Sequence, residues 1–183
     1  MKEWIMDFTI TKPAKAAAFA LTAFLLCNPA IAEDGPCDGF SWPMATELAW
    51  MQAADAVAVK SGAEIAALPA KAVALTLPRT NEAALPAKSG IKEGALAADS
   101  YSGFLTIKAL PKKAVYQITL SKHAWIDVVQ ADKSAETVAF TGRGECPIVR
   151  KSVRFELGEG PVTLMIVGSD VETVKIAIRE AQD

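Results

Sequence analysis

The chain has 183 residues, of which 22% are charged and 51% hydrophobic, with a formal net charge of −2. So even a balance carries no basic stripe, which argues against nucleic acid as a partner. Alanine supplies much of the apolar fraction, and no apolar run reaches the roughly 20 residues that a bilayer-spanning helix needs.

The first element reads as an export signal. Lys12 and Lys15 precede an apolar run from Ala16 to Leu26, and Ala30-Ile31-Ala32 follows as a small-x-small cleavage site. This order predicts a cleavable secretory signal over 1–32, with Met6 as an alternative start and an uncleaved N-terminal anchor as the alternative fate. Leu26 before Cys27 argues against lipidation. Cleavage would remove Cys27 and leave Cys37 and Cys146, an even pair bound for an oxidising compartment, so these two are expected to bond to each other. The alternative is two separate buried thiols. The chain-entropy account gives so long a loop about 4–5 kcal/mol of stabilisation. The expected location is periplasmic or secreted, with no membrane span after cleavage.

Residues 33–56 read as an N-terminal loop and helix. Gly35, Pro36 and Gly39 mark the loop. Ser41-Trp42-Pro43 looks like a helix start, with Ser41 as a cap and Pro43 in the first turn, where its missing N–H matters little. The helix is expected over 43–53, with Trp42, Leu48 and Met51 on one face, Glu47 facing water, and Trp42 and Trp50 packed onto the rest of the protein.

Residues 57–183 read as a β-domain. Val57 and Val59 alternate with small residues, Ser61-Gly62 turns the chain, 63–67 is ambiguous, and 72–77 is a strand between Pro69 and Pro78. The stretch 79–99, rich in Ala, Pro, Gly and Lys, is expected to be a long loop with a short strand near 83–85; its plain reading is a solvated connector. Strands then recur at 101–109, 114–120, 124–130, 135–140, 149–157, 162–167 and 171–178, separated by turn residues. Short strands at this spacing, with polar residues alternating outward, predict an antiparallel β-sandwich, jelly-roll-like, with one N-terminal helix. The run 162–167 has no polar break after Thr163 and is expected to lie centrally.

Few constellations carry chemistry. The chain has one histidine, His123, expected in a surface turn. It contains no HExxH, CxxC, CxxCH or GxSxG motif and no Gly-rich phosphate cradle. Asp127, Glu156 and Glu159 are carboxylates that a hydrolase could use, although nothing in the sequence pairs them. Asp127 shares a strand face with Trp125 and Val129. If that face turns inward, the carboxylate needs a partner, because an unpaired buried charge is very costly. Arg150, Lys151 and Arg154 are candidates for that role. Trp125 and Asp127 therefore form the candidate binding site, and a wet face with an aromatic over it is the alternative.

The segment from Cys37 (CDGFSWPMATELAWM), AWIDVVQ around Asp127, the spacing of Phe140, Gly142 and Cys146, and RKSVRFELGEGPVTLMIVG together resemble a family of small exported proteins of Gram-negative bacteria. The likeness covers most of the chain after residue 32. It implies no settled activity, although some members carry the label homogentisate 1,2-dioxygenase. A non-haem iron site of that kind uses two histidines and one carboxylate, and one histidine cannot supply it. From Tyr101 onward the pattern also looks like the pre-peptidase C-terminal type of β-sandwich, a likeness of fold alone.

The expected function is a non-catalytic periplasmic or secreted binding or accessory protein, with no cofactor and no bound metal. Its partner would be a protein, peptide or glycan of the periplasm. The alternatives are an enzyme, either the labelled dioxygenase or a carboxylate-based hydrolase, and a structural envelope protein. Intact-mass measurement of the protein recovered from the periplasm should give a chain beginning at Glu33; a chain that still carries 1–32 would contradict the signal reading.

Overall fold

The computed structural model describes residues 35–92 and 94–182; the expected signal over 1–32 lies outside them. One short helix, α1 (Ala45–Gln52), precedes eleven strands: β1 (Val57–Lys60), β2 (Ala63–Ile65), β3 (Val73–Thr76), β4 (Tyr101–Leu110), β5 (Ala114–Leu120), β6 (Trp125–Gln130), β7 (Lys133–Ser134), β8 (Thr137–Gly142), β9 (Lys151–Leu157), β10 (Gly160–Ser169) and β11 (Thr173–Glu180). They form a six-stranded sheet in the order β1-β3-β11-β5-β9-β8 and a five-stranded sheet in the order β2-β4-β10-β6-β7. The expected all-β sandwich is what the chain forms.

Alternation builds the core. Leu105, Ile107, Tyr116, Ile118, Leu120, Phe155, Leu164, Ile166 and Ile176 sit every second residue on the inward faces and are buried. β10 lies in the middle of its sheet, between β4 and β6, as its unbroken apolar run leads one to expect. Two pairings depart from the antiparallel expectation: β1 runs parallel to β3, and β2 runs parallel to β4. Chain order explains both. β1 and β3 share a sheet and are connected through β2, which crosses to the other sheet, so the chain returns in its original direction. The tight turn between β6 and β7 has left-handed backbone at both Ala131 (φ 50°) and Asp132 (φ 59°), the geometry that suits a two-residue hairpin.

The N-terminal segment corrects three expectations. Ser41 does not cap the helix: the residue before the first turn is Met44, without a side-chain cap, and the Ser41 N–H donates instead to Thr141 Oγ1 at 3.0 Å. No strand forms near 83–85, where a short 3-10 turn over Thr80–Glu82 occurs instead. Glu47 does not face water but is fully buried. Met44, Glu47, Leu48 and Met51 follow the i, i+3, i+4, i+7 spacing of one helix face, and that face meets the six-stranded sheet. Glu47 is thus the polar member of an inward stripe. Its Oε1 accepts a short hydrogen bond from Gln117 Nε2 and a second at 2.5 Å from Arg179 Nε. Arg154 stacks over Trp42 at 4.3 Å and donates to Gln117 Oε1 at 3.4 Å, which extends the network to the helix entrance. Trp42 and Trp50 are partly buried against this layer.

The cysteines behave as expected. Cys37 and Cys146 sulfurs lie 2.04 Å apart, a disulfide that fastens the segment before α1 to the loop between β8 and β9. Arg143 Nε adds a bond to the Asp38 carbonyl at 2.8 Å.

Breaking a buried ion pair strands its partner, at about 3–5 kcal/mol. The Arg179 side chain keeps 14% exposure and can partly rehydrate, so Glu47→Ala should lower unfolding free energy by about 3 kcal/mol. Urea unfolding checks this; a change under about 0.5 kcal/mol, the range of ordinary surface substitutions, would show that Glu47 does not dock the helix.

Candidate functional site

The sandwich is covered on both outer faces and open along one side. The N-terminal segment covers the six-stranded sheet. Across the five-stranded sheet lie Ser89, Gly90, Ile91 and Leu96: Ser89 and Gly90 sit on Asp127, and Leu96 and Ile91 approach Gly168. Gly168 has φ 73°, a left-handed backbone that favours glycine, and a Cβ there would stand 2.7 Å from the Leu96 side-chain end, which would have to shift. Under this cover Met165 and Val167 are buried although they point away from the sandwich interior. The long 79–99 loop therefore does more than connect: it closes a face.

The open side lies between two strand edges. β8 ends the six-stranded sheet, and β7 pairs only with Val129 and Gln130, which leaves the first half of β6 without an outer strand. Between these edges lies a hollow of about 460 Å³ lined by Trp125, Ile126, Thr137, Phe140, Lys151 and Val153. Register explains the lining. Phe140 stands opposite Val153, and Gly142 opposite Lys151, so Phe140, Val153 and Lys151 share the inward face at a point where the other sheet has ended. Phe140 is consequently 76% exposed; Trp125, at the start of β6 on the same outward face as Asp127, reaches the hollow at the strand's open edge and is 43% exposed.

Trp125 and Asp127, expected as a site, are joined directly. Trp125 Nε1–H donates to Asp127 Oδ1 at 2.8 Å. The other donors to this carboxylate are the Ser89 hydroxyl at 2.5 Å and the Gly90 N–H at 3.2 Å. The charged partner expected from Arg150, Lys151 or Arg154 is replaced by these loop donors, which can reach Asp127 because its face of β6 points outward, beneath the loop. Asp127 thus orients the indole and anchors the loop, and both carboxylate oxygens are occupied.

Lys151 is partly buried in the lining of the hollow. Its ammonium stands 5.7 Å from the centre of the Trp125 ring, and it takes part in no hydrogen bond or ion pair among the described residues. Burial pushes its pKa below the ordinary lysine value; the Asp127 charge opposes this and neighbouring Arg150 reinforces it.

The remaining candidates are dispersed. Glu156 points outward from the six-stranded sheet and pairs with Lys113 at 2.8 Å, whereas Asp127 points outward from the five-stranded sheet. The two carboxylates lie on opposite sides of the sandwich and cannot flank one bond. Glu159 is exposed in the turn before β10. His123 is exposed beside a smaller hollow of about 250 Å³ with Ser100, Ser169 and Asp170. No three of His, Cys, Asp and Glu converge as metal ligands would among the described residues. A hollow of about 530 Å³ beside Cys37–Leu48 is bounded by that one segment alone and has no opposing wall.

Phe140, Thr137, Ile126 and Val153 are site residues that sequence reasoning does not single out. Alternation puts Phe140 on a strand; only the strand order reveals that the strand is an edge and that nothing covers the ring. No protein-family model, curated protein or solved structure matches this chain.

The Lys151 shift has a definite sign. A lysine whose folded pKa is depressed binds fewer protons folded than unfolded, so its penalty is full below the folded pKa and disappears as pH rises to the ordinary lysine value near 10.4. Lys151→Met should therefore be more stable than the parent at pH 7, and the gap should narrow as pH rises toward the ordinary lysine value. Parallel urea titrations of the two proteins across this range check it; a gap that is absent at pH 7 or widens with pH would contradict the burial of an unpaired ammonium.

Proposed function

We propose that this chain is a non-catalytic binding protein of the bacterial envelope, exported by the 1–32 signal, which holds its ligand in the groove between Trp125 and Phe140. The observation that carries this reading is the aromatic pair. Phe140 is 76% and Trp125 43% exposed across a hollow of about 460 Å³, a volume within the range of small-molecule sites. Exposed aromatic surface gathered in a concavity is a common mark of a binding surface. The Trp125 indole is held by Asp127, so little side-chain entropy remains to be lost on binding. The disulfide supports the extracytoplasmic location.

A neutral solvatochromic dye such as Nile red tests the groove without invoking charge. The purified protein should bind the dye with a blue-shifted emission, and Phe140→Ser should remove most of that signal. Because Phe140 is mostly exposed, its replacement should leave unfolding free energy within about 0.5 kcal/mol. Undiminished dye binding by a folded Phe140→Ser protein would overturn the groove assignment.

A further inference from the structure

The groove has one charged residue in its lining, Lys151, and that residue makes no ion pair among the described residues. A partly buried ammonium without an anion pays a desolvation penalty with little return. Asp127 is the nearby carboxylate, but its oxygens already accept from Trp125, Ser89 and Gly90. Arg150 adds positive charge next in the chain. The donors to Asp127 are neutral and leave it its negative charge, but Lys151 and Arg150 together outweigh it by one positive charge, so this end of the groove favours an incoming anion.

The rest of the lining is apolar apart from Thr137. Along β8 and β9 the inward positions run from Lys151, opposite Gly142, past Val153, opposite Phe140, to the level of Thr137, opposite Phe155. The four steps of antiparallel strand from 151 to 155 span about 13 Å. The groove is thus polarised: a cation at one end, an apolar floor of Val153 and Ile126 between aromatic walls, and a hydroxyl at the far end. Neither a glycan nor a uniformly apolar molecule matches this arrangement. The first would leave hydroxyls against Val153 and Ile126, and the second would leave the ammonium unpaired.

We infer that the groove takes an anionic amphiphile, a single carboxylate seated on Lys151 with an apolar body of medium length lying between Phe140 and Trp125. This inference rests on the binding reading above and specifies its ligand class. The carboxylate would supply the charge-assisted hydrogen bonds that Lys151 lacks. The apolar body would cover the exposed face of Phe140 and remove it from water.

Calorimetric titration with three probes that share one chain and differ in the head group tests this: decanoate, its methyl ester and decylammonium, each below its micelle concentration. Decanoate should bind more tightly than the ester by about tenfold to a hundredfold, the worth of hydrogen bonds to a charged group, and decylammonium should bind most weakly. Lys151→Met should abolish the preference for decanoate over the ester while retaining binding of the ester. Phe140→Ser should weaken both. If ester and acid bind the parent equally and Phe140→Ser weakens both, the groove stands and the anionic ligand class falls. If no probe binds the folded protein, or Phe140→Ser changes nothing, the groove reading falls with it.

Discussion

The Cys37–Cys146 bond joins segments 109 residues apart and lies where the N-terminal arm meets the open side of the sandwich. Two hydrogen bonds reinforce it, Ser41 N–H to Thr141 Oγ1 and Arg143 Nε to the Asp38 carbonyl. All three contacts end on β8 or on the loop that leads from it to β9. An edge strand has ladder bonds on one side only, and so depends on other contacts for its position. Here those contacts come from a segment distant in sequence, and the strand they hold carries Phe140. Its neighbour β9 carries Val153 and Lys151. The Phe140 wall of the groove is therefore held by the clasp at Cys37, whereas Lys151 and Val153 are placed by the β9 ladder to β5.

Further along the same arm, α1 is anchored by polar contacts as well as by packing. The outer face of the six-stranded sheet presents Gln117, Thr119 and Ser152, all buried. Thr119 and Ser152 hydrogen-bond each other at 2.7 Å, and Gln117 and Arg179 converge on Glu47. Buried polar groups of this kind tolerate few alternative registers, since a shift of the helix would leave them without partners. On the other outer face Asp127 does similar work, gathering Ser89 and Gly90, with Ile91 and Leu96 beside Gly168 where Met165 and Val167 are buried. With both faces closed, apolar surface is left uncovered mainly along the β6–β8 side, and the largest exposed apolar side chains include Trp125, Val138 and Phe140.

Much of this architecture is legible in the sequence. Alternation locates most strands to within a residue or two, the unbroken run at 162–167 places β10 at the centre of its sheet, and cysteine parity pairs Cys37 with Cys146. The contact between Trp125 and Asp127 is partly legible too: their shared strand face is visible, while the other donors that hold Asp127 come from a loop whose path no local pattern specifies. Glu47 shows why the remainder is hidden. A glutamate in a short helix reads as solvent-facing until its partners are known, and these stand 70 and 132 residues away. Phe140 fails to stand out for a related reason. Its exposure follows from strand order and from the early end of the facing sheet, both of which are long-range properties. The two parallel pairings are invisible for the same cause, because sequence gives strand direction only once the crossings between sheets are known.

The central claim, that the clasp at Cys37 holds the β8 wall of the groove in place, is tested most directly by amide hydrogen exchange on the Cys37→Ser, Cys146→Ser double variant. Exchange reports local opening segment by segment. In the variant, the β8 amides that bond to β9 should exchange much faster than in the parent, while those of β10, in the middle of the other sheet, should change only by the amount of any global loss of stability. Equal protection of β8 in the two proteins would contradict the account, and so would a uniform loss of protection across β8 and β10.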